Sequence, residues 1–161
     1  MIDVVSPEIR SRMMAGIRGK NTKPELIIRS ALHRLGFRYR LHARKLPGKP
    51  DIVLPKWKAT IFVHGCFWHA HDCRLFKLPA TRRSWWKHKL ERNRLNDARA
   101  IQMLRDQGWR TLTIYECALR GPGRIDETVL FQKIEVWLRS KSRSLEIRSQ
   151  GGPTHLRRKA L

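Results

Sequence analysis

The chain has 161 residues, enough for one domain with a real core, and 41% of them are hydrophobic. It carries 35 Lys and Arg against 13 Asp and Glu, a formal charge of +22, so its natural partner is a polyanion, with nucleic acid ahead of a membrane surface. No run reaches the roughly 18 apolar residues of a membrane span, the opening MIDVVSPEIR lacks a signal-peptide layout, and three cysteines cannot all serve a disulfide framework, which together predict a cytoplasmic protein.

Ser6-Pro7-Glu8 reads as a helix start, with a hydroxyl cap, a proline in the first turn and an acid at the positive end. This helix is expected to run to about Arg18. Thr22-Lys23-Pro24-Glu25 has capping-box spacing, and Leu26, Ile27, Leu32 and Leu35 then form a stripe that Gly36 ends. Phe37 to Leu41 alternates apolar and basic residues as a strand does. After the turn at Pro47-Gly48, Asp51 to Leu54 is a short strand, and Lys56-Trp57-Lys58 makes a hairpin into the apolar run Ala59 to Val63, which delivers His64 to its end. Arg74 to Arg83 reads as loop and Ser84 to Asp106 as a long charged helix with Leu90, Ile101 and Leu104 inward. A strand over Trp109 to Glu116 ends at Cys117, and a last helix spans Asp126 to Leu138, with Val129, Leu130, Ile134 and Trp137 on one side. From Ser140 the chain is polar and basic. Residues 140–161 are therefore expected to be a disordered tail, leaving residues 1–139 as a single domain. The element order implies an α/β fold with a small mixed sheet and helices on both faces.

The stretch FVHGCFWHAHDC, from Phe62 to Cys73, mixes residue types that no ordinary core strand needs. Cys66, His71 and Cys73 have feasible spacing for a tetrahedral Zn²⁺ loop. The fourth ligand is Cys117, if the strands ending at Gly65 and Glu116 lie side by side, or else His69. With Cys117, the odd cysteine count is explained.

Asp51 follows a proline and starts an apolar strand, a place where Mg²⁺ binds in phosphodiester cleavage. His64 leaves the next strand, and His69 sits inside the proposed zinc loop, where it would be held rigidly enough for acid/base work. Glu25 satisfies the capping box, and as a second carboxylate it could orient a water. Phe67 and Trp68, between two zinc ligands, suit insertion into a base stack.

PGKPD, then IFVHGCFWHAHDC, then FKLPATR, then WRTLTIYECAL, resemble the very short patch repair (Vsr) DNA mismatch endonucleases of bacteria over roughly Ser11 to Leu119. The resemblance implies a restriction-endonuclease-like fold and a nick 5′ to the thymine of a T·G mismatch left by deamination of 5-methylcytosine. It implies Asp51 as the Mg²⁺ aspartate, His64, His69 and Glu25 as active-site residues, and Cys66, His71, Cys73 and Cys117 as structural Zn²⁺ ligands. Val63 stands where the best-known member has a threonine, at a position whose backbone carbonyl goes to the metal in that family, and valine keeps that carbonyl. The resemblance adds Trp86 to the wedge, places Met14 opposite it on the DNA-contacting N-terminal helix within residues 1–20, and puts Lys89 and Asn93 near the mispaired bases. The implied partner is mismatched double-stranded DNA, bound at the bacterial nucleoid. Mismatch-repair proteins are candidate partners, and one nick per site suits a monomer. Two other readings are a restriction-type nuclease of the same fold and a non-catalytic zinc-dependent DNA-binding module.

Overall fold

The computed structural model describes residues 6–15 and 19–151. In chain order the elements are α1 (Pro7–Ala15), α2 (Lys23–Arg34), β1 (Arg40–Leu41), β2 (Ile52–Leu54), β3 (Ala59–His64), α3 (Arg83–Asp106), β4 (Arg110–Tyr115), α4 (Glu127–Arg139) and β5 (Ser144–Ile147). The five strands form one mixed sheet in the order β1-β2-β3-β4-β5. The first two pairings are antiparallel and the last two parallel. All six residues of β3 are buried, as a central strand requires.

The side-chain period of two divides the sheet into two faces. Ile61, Leu112 and Ile114 join Ile28 and Leu32 of α2 and Leu130, Ile134, Trp137 and Leu138 of α4 in one core. Phe62 and His64, on the other face, share a cavity wall with Asn93, Asp97 and Ala100 of α3. Helices therefore cover both faces.

Thr22 caps α2, accepting a hydrogen bond from the Glu25 N–H. The expected apolar stripe of α2 holds at Leu32, with Ile27 and Leu35 half-buried, and fails at Leu26. Leu26 is exposed, and the buried side is Glu25, Ile28, Arg29, Ala31 and Leu32. Two charged residues occupy a face that a hydrophobicity pattern cannot see. Val129 is likewise exposed, whereas Leu130, Ile134 and Trp137 are buried as expected. The strand expected from Phe37 shrinks to Arg40–Leu41, and Phe37 instead packs edge-on against Trp57 with centroids 5.4 Å apart.

The expectation of a disordered tail from Ser140 needs correction. Residues Ser144–Ile147 form β5 beside β4, so the sheet extends past residue 139. Leu145 and Ile147 turn inward while Ser144 and Glu146 are exposed. Arg110 secures the crossing by donating to the carbonyls of Leu138 (3.0 Å) and Ser142 (2.9 Å). Residues 152–161 lie outside the described residues.

Candidate active site and metal centre

β3 and β4 run parallel with His64 paired to Tyr115, which brings the segments after both strands to one end of the sheet. Cys66 and Cys117 meet there. Cys66, His71, Cys73 and Cys117 are all buried, with potential ligand atoms within 4.8 Å of one another. Both Cys66 Sγ and Cys117 Sγ lie close to His71 Nδ1, at 3.6 and 3.5 Å. These are edges of a tetrahedron whose centre would lie about 2.0–2.3 Å from each ligand. No disulfide joins the three thiols. The donor set fits a closed metal site, and His69 is not part of it.

The fold already treats Cys117 as an acceptor. Its thiol is pulled down by hydrogen bonding to Cys66 and His71, while the Cys66 thiol is pushed up by its bond to Cys117 and by burial. The Ser149 N–H donates to Cys117 Sγ at 3.3 Å, so the segment after β5 closes over the cluster. The His71 ring is held by stacking on Tyr115, with centroids 3.8 Å apart.

A cavity of about 580 Å³ opens beside this cluster, lined in part by Glu25, Asp51, Val63, His64, His69 and Asp97. Asp51 precedes β2 and reaches across the hairpin, where Oδ2 accepts from the Val63 N–H at 2.7 Å. Among the described residues that is the one hydrogen bond of its carboxylate. Burial pushes the Asp51 carboxyl up to about 6 despite that bond. The turn that carries it depends on Gly48, with φ of 70°, where a Cβ would stand 2.6 Å from Ala100 Cβ of α3.

His64 and His69 stack with centroids 3.6 Å apart and planes 2° from parallel. Burial, and then the neighbouring His69, hold His64 down to about 3, so it stays neutral at any working pH. Its ring proton signals are accordingly expected not to titrate between about pH 5 and 8 in an NMR pH series. A His64 midpoint inside that window would contradict this environment.

Asp97 is the residue that the sequence reading missed. Its Oδ2 lies 2.5 Å from His69 Nδ1, which fixes the ring and leaves Nε2 for chemistry. A signal was present: Asp97 follows Lys89 and Asn93 at intervals of four on α3, on the side already assigned to the site. Glu25 meets the capping expectation and also lines the cavity. It completes the cap through Thr22 Oγ1 (3.2 Å), accepts from the Asn21 N–H (3.0 Å), and pairs with buried Arg29 at 2.7 Å while facing the cavity. Arg29 also reaches His42 Nε2 at 2.9 Å, and the sequence reading had no sign of these two residues.

Phe67, Trp68 and Trp86 are half-buried and form one aromatic cluster, with Phe67 centroids 5.1 and 5.3 Å from those of the two tryptophans. Lys89 Nζ lies 5.6 Å from the Trp68 centroid and 5.5 Å from that of Trp86. Asn93 Nδ2 donates to the Trp68 carbonyl at 2.9 Å, so its amide braces the loop that carries the wedge. Met14 belongs to α1, but its side chain lies outside the described residues.

Comparison with known proteins gives one consistent result. The family model for the DNA mismatch endonuclease Vsr matches residues 2–75. The chain is 40% identical to the DNA mismatch endonuclease Vsr of Escherichia coli strain K12 over 151 residues, 94% of this chain and 97% of that protein. It is 46% identical to the type II nicking enzyme V.XorIIP of Xanthomonas oryzae pv. oryzae over 126 residues, 78% of this chain and 93% of that protein. A third relative, V.NmeAIP of Neisseria meningitidis, is 38% identical over 121 residues.

Proposed function

Since the chain belongs to the Vsr family of DNA mismatch endonucleases, we propose that it nicks one strand 5′ to the thymine of T·G mismatches that arise by deamination of 5-methylcytosine. It is a nicking endonuclease of very short patch repair. The observation that carries the finer reading is the cavity itself, where the Asp51 carboxylate and the His69–Asp97 pair share one wall beside an aromatic wedge. We read the fold as restriction-endonuclease-like, and the protein as a monomer acting on the bacterial nucleoid.

Asp51 and the Val63 carbonyl would hold Mg²⁺. The hydrogen bond from the Val63 N–H to Asp51 supports this pairing. When bound, such an ion polarises the phosphate and offsets charge on the leaving oxygen. Cys66, His71, Cys73 and Cys117 would hold Zn²⁺ for structure alone.

The protein's own side chains do the rest. Asp97 holds Nδ1 of His69, so Nε2 can take a proton from the attacking water. Neutral His64, stacked on His69, can donate a hydrogen bond to phosphate without carrying a charge. Glu25, tied to Arg29, orients water at the cavity wall. Phe67, Trp68 and Trp86 enter the base stack, Met14 presses from the other side, and Lys89 and Asn93 lie nearest the mispaired bases. The mismatch lowers the cost of opening that step.

His69→Ala is expected to lower kcat by about 10²- to 10⁴-fold. Asp97→Asn should lower it less, with KM unchanged, because Asp97 acts through His69. Equal losses in KM and kcat for Asp97→Asn would contradict that assignment. The overall reading is tested by incubating a T·G duplex and its fully paired counterpart with Mg²⁺ and with EDTA. Cutting confined to the mismatched duplex with Mg²⁺ supports it. Cutting of both duplexes makes the protein a restriction-type nuclease, and binding without cutting makes it a zinc-dependent DNA-binding module.

A further inference from the structure

Trp85 is the member of the aromatic cluster that the fold leaves open. It is 44% exposed, whereas Phe67, Trp68 and Trp86 are half-buried. Its ring meets Trp86 edge-on, with centroids 4.8 Å apart, so the two form one continuous aromatic surface. Two cations flank it. The Arg82 guanidinium and the Lys89 ammonium each lie 4.8 Å from the ring centroid. Arg82 holds a left-handed backbone with φ of 49°, which a side chain with a Cβ adopts only under constraint, and its head group rests on Trp85. Among the described residues neither cation has a carboxylate partner.

This environment does not suit a core tryptophan. An indole left in water between two unpaired cations, at the rim of a base-stack wedge, suits a polyanion that also carries stacking faces. Arg82 is long and flexible, so a base or deoxyribose arriving at the indole can displace its guanidinium onto its own phosphate. The stacking contact then replaces the cation–π contact, and the charge is used.

We infer that Trp85 is a second DNA-stacking residue, outside the mismatch wedge, which packs against the strand flanking the opened step while Arg82 neutralises the adjacent phosphate. This inference rests on the DNA-acting reading above. Because the contact lies beside the mismatch, it adds affinity for any duplex and no discrimination. Trp86, inside the wedge, does the reverse.

The test is fluorescence anisotropy in EDTA, with T·G and fully paired duplexes, for the parent, Trp85→Ala, Trp85→Phe and Trp86→Ala. Trp85→Ala is expected to weaken binding to both duplexes by a similar factor, about 5- to 100-fold for one lost base stack. Trp85→Phe should recover most of that loss, and in nicking assays the defect should fall on KM. Trp86→Ala should narrow the ratio between the two duplexes. Binding by Trp85→Ala within about twofold of the parent on both duplexes would overturn the proposal, as would a Trp85→Phe defect as large as that of alanine. If Trp85→Ala misfolds, Arg82→Ala takes its place, and binding to both duplexes unchanged by that variant would overturn the proposal equally. A parent that binds both duplexes alike would overturn the mismatch reading, while the ratio of Trp85→Ala to parent on the paired duplex would still decide the role of Trp85.

Discussion

Asp51→Asn is expected to abolish nicking and to stabilise the protein at the same time. Asparagine has the same shape and keeps an oxygen for the Val63 N–H, which Asp51 holds at 2.7 Å. What it removes is a buried charge. Burial raises the Asp51 carboxyl to about 6 in the folded protein, above its value in the unfolded chain. A raised carboxyl binds its proton more tightly when folded, so its contribution is most favourable below about pH 4 and is lost as pH rises through about 6. At pH 7 the parent bears this penalty in full. The asparagine variant, free of metal, should be more stable by about 1–3 kcal/mol, a rise of several degrees in Tm. The same substitution removes the charged ligand of the proposed Mg²⁺ site, so the nicking rate should fall by about 10³-fold or more. The parent's activity should also decline as pH falls through about 6, because protonated Asp51 no longer attracts a cation. Thermal unfolding and single-turnover nicking of the two proteins check both halves. A variant less stable than the parent at pH 7 would make Asp51 a structural residue.

Cys117→Ser is expected to cost the metal and the fold together. Cys117 is the point where three separate parts of the chain meet: the segment after β4, the loop that runs from Cys66 through His71 to Cys73, and Ser149 beyond β5. Bound zinc should drop from about one equivalent to a small fraction of that. Because metal binding at such a site is folding free energy, a loss of several kcal/mol is expected, which lowers Tm by about 10 °C or more. The amide of Ser149 should lose protection from hydrogen exchange, since its acceptor is Cys117 Sγ. Nicking should fall as well, because the same loop positions His69. A purified parent with no bound metal, or a Cys117→Ser protein with the parent's Tm, would remove the structural role of the cluster.

The parts of this molecule that were legible in its sequence are those whose signals are local. The apolar run of β3, the capping residues of α2 and the terminal position of His64 could be read directly, and the side-by-side placement of β3 and β4 was the condition under which Cys117 could join the cluster. The parts that were not legible depend on distant partners. β5 carries only Leu145 and Ile147 in a polar run and becomes a strand because β4 offers an edge. The inward face of α2 includes Glu25 and Arg29, which pair at 2.7 Å and so can be buried where a hydrophobic pattern expects leucine. Asp97 had no local mark beyond its helical phase, and its meaning comes from His69, 28 residues away.

The central claim is that one cavity makes one cut, on one strand, directed by a mismatch. The most direct measurement is to label each strand of a T·G duplex at its end, incubate it with Mg²⁺ and map the product to the nucleotide. A single nick immediately 5′ to the mismatched thymine, with the guanine strand intact, is the predicted result. Cutting of the guanine strand, of both strands, or at a position indifferent to the mismatch would contradict it.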